Sequence, residues 1–339
     1  MTSYQKNIKA RSDAVRLAKL AHKLMKEKRY KEAYEKYHLA LQLDAYNVYV
    51  LVGLGDLKRK EKGFKEAVSY YEKCLEIDNN NKFALAGLGD ALRGLGKLDK
   101  ALEVWVYYLS LDPDAYRIMT RVADGFRKTG NMKMSKKYYA MAIGKRPDDP
   151  FALMGLGRIY SKEGNDDKAI HYFEKVSRQS RDSIWAITSA ANIYRKKKQY
   201  DKAIEYYETV LKIDPKNSYA WHGKADCYRG LMQYDIAIKA WEAAIKNGME
   251  PKMARTRIGD AYLNIGDYEK AAESYTEATT LGYYKFAYLG IIQIHTHQDQ
   301  QDEAYKLLSM LLKREPDDPR INAAYTKFVE SYPDATKRV

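Results

Sequence analysis

Two rows of charged side chains recur at intervals of 34 residues or a multiple of 34 along this chain of 339 residues. The acidic row is followed three residues later by the basic row, and side chains at positions i and i+3 are neighbours on a helix, where an ion pair contributes about 0.2–0.5 kcal/mol. Such rows would offer carboxylate acceptors and forked guanidinium donors to the backbone and the carboxylates of an extended peptide. The acidic row comprises Asp56, Asp90, Asp124, Asp226 and Asp260, with Asn192 in line, and the basic row comprises Arg59, Arg93, Arg127, Arg195 and Arg229.

The same rows have a second interpretation, in which the charges neutralise one another within and between neighbouring units and contact no ligand. A charged pair on a helix is more often part of a solvated face than a binding group. The sequence leaves both interpretations open.

A series of small residues marks the helices that must carry these rows. Each mark is followed, four residues later, by a large apolar residue, and this spacing is typical of an amphipathic helix. A pair of such short helices buries its apolar sides against each other and against the next pair. The marks are Ala33, Ala67, Ala101, Ser135, Ala169, Ala203, Ala237, Ala271 and Ala304, and the large residues are Tyr37, Tyr71, Trp105, Tyr139, Phe173, Tyr207, Trp241, Tyr275 and Leu308.

Polar and flexible residues mark the turns of this pattern. Between repeats the marks are Asp78-Asn79, Asp112-Pro113-Asp114, Asp148-Asp149-Pro150 and Asp214-Pro215, which predict the end of one helix and the cap of the next. Inside the repeats, a glycine or a polar pair is expected to end the first helix. These positions are Gly63, Gly96, Gly130, Gly164, Gly266 and Lys198-Gln199.

The pattern resembles the tetratricopeptide repeat (TPR) family, whose unit is a helix-turn-helix of about 34 residues. Within residues 150–183 the family signature is matched in order by Leu153, Leu156, Gly157, Tyr160, Ala169 and Phe173. Nine repeats are predicted to begin at Ala14, Val48, Lys82, Tyr116, Pro150, Ile184, Ser218, Lys252 and Lys285.

The resemblance implies an all-α fold, a right-handed superhelical TPR solenoid of antiparallel helix pairs. We expect a basic N-terminal tail at residues 1–13, with Ser12 or Asp13 capping the first helix, and nine repeats forming one continuous solenoid at residues 14–318. A capping helix and tail are expected at residues 319–339, since terminal repeats need a polar outer side.

In this family the first helix of each pair lines the concave groove, so its outward residues are candidate ligand contacts. The residue after each repeat start is aromatic in six of the nine repeats, and aromatic side chains are frequent binding hot spots. The alternative is that they pack between neighbouring repeats. The groove candidates at this position are Tyr49, Phe83, Arg117, Phe151, Trp185 and Tyr219.

Two arginines of the fourth repeat also belong to this candidate set. Arg117 and Arg121 lie where the family's carboxylate-binding clamp places its last two cations. The preceding repeats lack the remaining residues of the clamp, so we do not infer that function.

The net charge of +14 is concentrated in two regions. Residues 1–31 contain ten Lys and Arg against Asp13 and Glu27, and residues 117–146 contain nine against Asp124. Such regions attract polyanions, so the alternative function is binding of RNA or another polyanion. It is the less expected one, because five aspartates share the same groove, and a solvated helix face also explains the charge.

Other classes of function find little support in the sequence. The two cysteines, Cys74 and Cys227, are too few for a disulfide framework and have no metal-ligand spacing. No residues form a recognisable catalytic or cofactor-binding motif, and no apolar run is long enough to span a membrane. We therefore expect a non-catalytic protein-protein interaction scaffold, without a cofactor, in the cytoplasm.

Overall fold

The structure is a computed structural model that describes residues 3–180 and 183–333, with side chains from residue 9 onward. This part of the chain contains 19 helices and no strand, which confirms the expected all-α repeat fold. The chain divides into a first unit, Met1–Glu163, and a second unit, Gly164–Val339.

The first unit contains nine helices within its described residues. They are α1 (Ser3–Lys26), α2 (Tyr30–Leu43), α3 (Val48–Lys60), α4 (Phe64–Ile77), α5 (Lys82–Gly94), α6 (Leu98–Leu111), α7 (Tyr116–Lys128), α8 (Met132–Lys145) and α9 (Pro150–Lys162).

The second unit contains ten helices within its described residues. They are α10 (Asp166–Gln179), α11 (Ile184–Lys196), α12 (Tyr200–Ile213), α13 (Ser218–Gly230), α14 (Tyr234–Lys246), α15 (Pro251–Ile265), α16 (Tyr268–Thr280), α17 (Lys285–His297), α18 (Gln301–Arg314) and α19 (Pro319–Ser331).

Odd-numbered helices up to α17 are the first helices of repeats, and even-numbered helices are the second helices. Each helix packs on its neighbour in sequence within a unit, and first helices of adjacent repeats also contact each other, as α3 contacts α5 and α11 contacts α13. The rows on the first helices are therefore brought next to one another inside each unit.

The small and large residues that mark the repeats form the core. All of the marking alanines are fully buried, and each large residue four positions later is at most 3% exposed. Ser135 is also fully buried, and its hydroxyl donates to the carbonyl oxygen of Ala123 at 2.8 Å, which satisfies the one polar mark. The repeat register predicted from the sequence is confirmed.

Polar side chains cap four of the first helices in the described residues, and among them only Asp149 is a predicted cap; Asp78, Asp112 and Asp214 end the preceding helices as predicted but do not cap the next ones. Each cap side chain accepts a hydrogen bond from a backbone N–H group in the first turn, which satisfies a donor that has no partner within the helix. The capping residues are Asn47, Asn81, Asp149, Asn217 and, for the last helix, Asp318.

The turn inside each repeat corrects one prediction. Gly96, Gly130, Gly164 and Gly266 have positive φ, but Gly63 has a φ of −76° and the left-handed residue of that repeat is Lys62, with a φ of 63°. The left-handed residue lies at the same position of every repeat, and Gly63 is one place beyond it. The geometry of the turn, and not the location of the glycine, decides which residue is left-handed.

The two ends of the described chain also refine the predictions. α1 begins at Ser3 and not at Ser12 or Asp13; no Gly or Pro lies in residues 3–12 to end it. α19 lies within the region where the capping helix is expected and buries Ile321 and Phe328 in one apolar cluster with residues of α18. Residues 334–339 of the expected tail lie outside the described residues.

Both cysteines are core residues, which gives a first testable prediction. Burial raises the pKa of the Cys74 thiol to about 11 and that of Cys227 to about 12, and both residues are fully buried. Because the thiolate is the reactive form, we expect neither thiol to react with 5,5′-dithiobis(2-nitrobenzoate) at pH 8 in the folded protein. In denaturant both should react, and rapid labelling of the native protein would contradict the buried placement.

Candidate ligand-binding face

The first helices carry the candidate residues on one side, which we call the first-helix face, defined by the acidic and basic rows. In the first unit the predicted pairs within a helix are present. Arg59 Nη2 lies 2.9 Å from Asp56 Oδ1, and Arg93 Nη2 lies 3.3 Å from Asp90 Oδ1. On α7, Arg127 Nη2 lies 2.6 Å from an oxygen of Asp124.

The pairing also crosses between helices. Arg59 Nη1 lies 3.3 Å from Asp90 Oδ2 on the next first helix. In the second unit, Arg195 bonds Asp226 on the next first helix, because residue 192 on its own helix is a neutral asparagine. Mutual neutralisation, the second interpretation of the rows, therefore accounts for part of their charge.

Core tyrosines reach the acidic row from the second helices. The hydroxyls of Tyr71 and Tyr275 each donate to an aspartate of their own repeat, Asp56 and Asp260, at 2.8 Å. Tyr207 donates to Asn192 Oδ1 at 2.7 Å. These acceptors are fixed by the core and are not free to turn towards a ligand.

Each core tyrosine extends into the following repeat, where its ring leaves room for glycine only. A Cβ at Gly87 would lie 2.3 Å from Tyr71 Cζ, and one at Gly155 would lie 2.1 Å from Tyr139 Cζ. Each of the five core tyrosines is followed by a glycine at the same offset, one place shorter at the shortened ninth repeat. The pairs are Tyr37/Gly53, Tyr71/Gly87, Tyr139/Gly155, Tyr207/Gly223 and Tyr275/Gly290.

Where the core residue is tryptophan, the following repeat has arginine at this position. Trp105 is followed by Arg121 and Trp241 by Arg257, at the offset that separates each tyrosine from its glycine. Our sequence reasoning missed Arg257 as a residue of the face, although this correlation could have identified it. Each tryptophan repeat therefore adds a cation to the first-helix face.

We call the result in the first unit the first arginine cluster, which comprises Arg59, Arg93 and Arg121 around Asp90. Arg121 Nη2 lies 3.2 Å from Asp90 Oδ2, so this one carboxylate, only 7% exposed, contacts three guanidinium groups. Burial lowers the pKa of Arg121; Asp90 opposes this effect, whereas the charges of Arg93 and Arg59 reinforce it. The cluster holds its cations close together.

The second arginine cluster comprises Arg195, Arg229 and Arg257 in the second unit. Arg195 bonds Asp226 Oδ2, and Arg229 Nε lies 3.9 Å from Asp226 Oδ1. Arg257 Nη1 lies 3.5 Å from Asp260 Oδ2. Two carboxylates thus face three arginines.

His222 borders the second cluster and gives a prediction for pH dependence. Burial lowers the pKa of His222, and Asp226, 3.7 Å away, opposes this lowering. The positive charges of the three arginines of the cluster lower the pKa further. Below pH ~6.5 the unfolded chain therefore binds a proton that the folded chain does not. Urea unfolding should show stability falling as pH drops from 7.5 to 5.5, by at most about 1.4 kcal/mol per pH unit from this group.

The matched control for this prediction is His222→Gln, which removes the titration and retains a polar side chain. Its unfolding free energy should fall less over the same interval. Equal slopes for the two proteins would show that His222 is protonated equally easily in both states.

The aromatic candidates differ in exposure. Phe83, Phe151 and Tyr219 are 79%, 74% and 81% exposed, so packing between repeats does not account for them. Tyr49 and Trp185 are about half covered, and the Trp185 ring meets Phe173 edge to face at 5.7 Å. Three large apolar side chains of the first helices are thus open to solvent.

The candidate Arg117 has a different surrounding. Its side chain is exposed, and its guanidinium lies 5.7 Å from the ring of Tyr116, the residue before it. Its Nε donates to the Tyr116 hydroxyl at 3.1 Å. It therefore lies apart from the ion pairs of the first arginine cluster.

Most of the cations in the basic region 117–146 are paired with carboxylates of the protein itself. Six of its nine cations, all of them described, lie within 4 Å of a carboxylate. In region 1–31, among side chains from residue 9 onward, Arg16 and Arg29 form ion pairs. Internal pairing therefore reduces the charge available to a polyanion, most clearly in the second region.

The rows end near the last helices of the second unit. Gln293 and Thr296 on α17 replace the aspartate and arginine of the other repeats. A cavity of about 640 Å³ lies here, lined among others by Leu289, Arg320 and Phe328. The charge rows thus give way to a mixed apolar and basic surface.

Two further surveys cover the described residues only. No helix among them has the length and apolar character required to cross a membrane. No group of three or more His, Cys, Asp and Glu side chains in the same residues is arranged to hold a metal ion.

Comparisons with known proteins agree with the repeat architecture. Models of the tetratricopeptide repeat match residues 48–81, 152–183, 186–217, 206–239, 228–282 and 256–319. No curated protein sequence matches the chain.

Among solved structures, the C-terminal part of a TPR repeat-containing protein from Cytophaga hutchinsonii is 19% identical, with a TM-score of 0.62 over 70% of this chain and 98% of that one. A tetratricopeptide repeat protein from Parabacteroides merdae is 20% identical, with a TM-score of 0.52 over 70% and 94%. PilW, a type IV pilus biogenesis factor, is 18% identical, with a TM-score of 0.56 over 61% and 96%. At these identities the likeness shows the fold alone.

Proposed function

Since the chain belongs to the tetratricopeptide repeat family, we propose that it is a non-catalytic scaffold that binds a partner protein on the first-helix faces of its repeats. The partner presents an extended segment, which can follow successive first helices. The function lies in the exposed side chains of these faces, because a repeat fold by itself hosts many functions.

The observation that carries this proposal is the exposure of Phe83, Phe151 and Tyr219 on first helices. A rigid aromatic side chain contributes a large contact area at a low cost in conformational entropy, which is why such residues anchor many interfaces. The same side chains in water have no role in the apolar core of the repeats. They support a binding function for the face.

The charged rows would orient the segment. Ion pairs neutralise part of the charge of these rows. The groups that remain available to a partner are mainly the exposed N–H groups of the arginine clusters. These favour a segment with acidic side chains. A contact of this size is typically micromolar, about −8 kcal/mol.

Site-specific cross-linking tests the proposal. We would place p-benzoylphenylalanine at residue 83 or 219 and irradiate the protein in cells of its source. The matched controls are residue 106 on α6 and residue 236 on α14, which are also exposed apolar positions but lie on second helices. We expect one protein to cross-link at 83 and 219 and not at the controls; cross-linking confined to the controls would refute the proposed face.

RNA binding is the alternative that the same preparation can test. A filter-binding assay at 50 and 200 mM salt would show a steep loss of affinity if phosphate contacts dominated. Strong RNA binding that is lost when Lys133 and Lys137 are changed to Ala would favour the polyanion function over the protein partner.

A further inference from the structure

The two arginine clusters are copies of one arrangement. Five residues of the first arginine cluster and its surroundings recur, with the same residue types, four repeats later. They are the three arginines, the central aspartate and the nearby core tryptophan. The matched pairs are Arg59/Arg195, Asp90/Asp226, Arg93/Arg229, Trp105/Trp241 and Arg121/Arg257. Repeats 2 to 4 and repeats 6 to 8 thus contain the same five side chains in the same register.

An exposed aromatic residue accompanies each copy. Phe83 precedes Asp90 by seven residues on α5, and Tyr219 precedes Asp226 by seven residues on α13. Seven residues are about two turns of helix, or about 10 Å along its axis. Each cluster therefore has an apolar contact site at a similar distance on the same helix.

Each cluster contains one more arginine than aspartate. In the first, three arginines face Asp90 and Asp56, and in the second, three arginines face Asp226 and Asp260. Each therefore retains one positive charge after internal pairing. Because Arg121 is placed beside two like charges, pairing with an anion would relieve a repulsion that is present without one.

Unsatisfied polar atoms provide an independent observation. In the described residues, the buried side-chain nitrogen and oxygen atoms without a hydrogen-bond partner are Trp105 Nε1, Arg195 Nε, His222 Nδ1, Asp226 Oδ1 and Trp241 Nε1. Four of these atoms belong to the matched residues of the two copies, and the fifth belongs to His222, which contacts Asp226. Most buried polar groups have a hydrogen-bond partner, so a set of exceptions gathered around the matched residues calls for an explanation.

The geometry leaves the arginines accessible while the central aspartate of each cluster is covered. The six arginine side chains are between 32% and 42% exposed, whereas those of Asp90 and Asp226 are 6% and 12% exposed. At the centre of each cluster a ligand therefore meets guanidinium N–H groups, and the exposed carboxylates, Asp56 and Asp260 with side chains 39% and 37% exposed, are already paired with Arg59 and Arg257. Guanidinium forks match the two oxygens of a carboxylate.

We propose that each arginine cluster is a binding site for one carboxylate, supplied by an aspartate or glutamate side chain of the partner segment. The exposed aromatic residue on the same helix contacts an apolar neighbour of that acidic residue. The chain thus contains two equivalent sites, one in each unit, and this inference rests on the proposed function.

The test is a titration monitored by NMR of the arginine Nε–Hε groups in the full chain. The probe is the peptide acetyl-Leu-Glu-Leu-amide, and acetyl-Leu-Gln-Leu-amide is the uncharged control. The glutamate peptide should shift the signals of Arg121 and Arg257 in a saturable manner, and the glutamine peptide should not. Equal shifts with both peptides, or none with either, would overturn the proposal.

Single substitutions test whether the two sites are separate. Arg121→Gln should weaken binding at the first cluster about tenfold or more and leave the Arg257 response unchanged, and Arg257→Gln should do the converse. Lys137→Gln, on the exposed side of α8, removes the same charge outside both clusters and should change neither response. An equal loss with Lys137→Gln would mean that net charge alone attracts the peptide.

The outcome is distinguishable from failure of the proposed function. Circular dichroism of each variant would verify that the helices are retained. Cross-linking at residues 83 and 219 together with no peptide response would refute the carboxylate sites and leave the protein partner in place. Loss of the cross-links would refute the scaffold function itself.

Discussion

Gly155→Ala should destabilise the first unit by about 1–3 kcal/mol, the usual range for overpacking. Alanine is the better helix former by about 1 kcal/mol, but its Cβ would lie 2.1 Å from Cζ of Tyr139, a buried core residue that is 3% exposed. Urea unfolding followed by circular dichroism would measure the loss. The effect would show that contact between repeats, and not helix propensity, requires glycine here.

Gly144→Ala is the matched control on α8, in the same unit. A Cβ at residue 144 meets no atom within 4 Å, so the substitution should stabilise the protein by about 0.5–1 kcal/mol. Replacing the Tyr139 ring by the shorter side chain of leucine (Tyr139→Leu) should reduce the loss of stability caused by Gly155→Ala. If both alanine variants changed stability in the same direction, the steric explanation would be wrong.

The repeat register was predictable from the sequence because burial determines it. Ala203 and Tyr207, four residues apart on α12, are both fully buried, and a small residue followed by a large one is required wherever two helices cross closely. Helix starts such as Val48 and Ser218 followed from that register. α15 begins at Pro251, one residue early, because proline is favoured at the first position of a helix.

The pairing of long charged side chains was less predictable. The sequence places Arg59 three residues after Asp56, and that pair forms, yet the same arginine also reaches Asp90 on the next helix. Arg195 has no acidic neighbour on its own helix and pairs across to Asp226 on the next first helix. Spacing along the chain determines contacts within a helix, whereas contacts between helices depend on how closely the repeats pack.

The exposure of the candidate aromatic residues also required the structure. Phe83 and Trp185 share one position in the repeat, but Phe83 is 79% exposed and Trp185 is 43% exposed. The larger ring of Trp185 reaches Phe173 on the preceding helix. The repeat pattern does not predict this difference in exposure, because the exposed fraction depends on the size of the side chain and on its neighbours.

Gly155→Arg should be the most damaging substitution considered, costing more than about 3 kcal/mol, because a long side chain would have to displace the buried ring of Tyr139. Adding Tyr139→Trp should recover part of this loss. The combination recreates the Trp241/Arg257 pair, and the new tryptophan would stand at the same offset from Ala123 as Trp241 from Ala225, a residue of the same apolar cluster. The guanidinium introduced at residue 155 could then reach the Asp124 carboxylate as Arg121 reaches Asp90.

A double-mutant cycle by urea unfolding would measure this coupling between residues 139 and 155. We expect about 1–3 kcal/mol in favour of the double variant, because each substitution removes the obstacle that the other meets. If the changes in unfolding free energy of the two single variants simply add in the double variant, the pairing of tryptophan with arginine, and of tyrosine with glycine, has another origin. A positive coupling would establish that the core residue of one repeat selects the charge that the next repeat presents to a ligand.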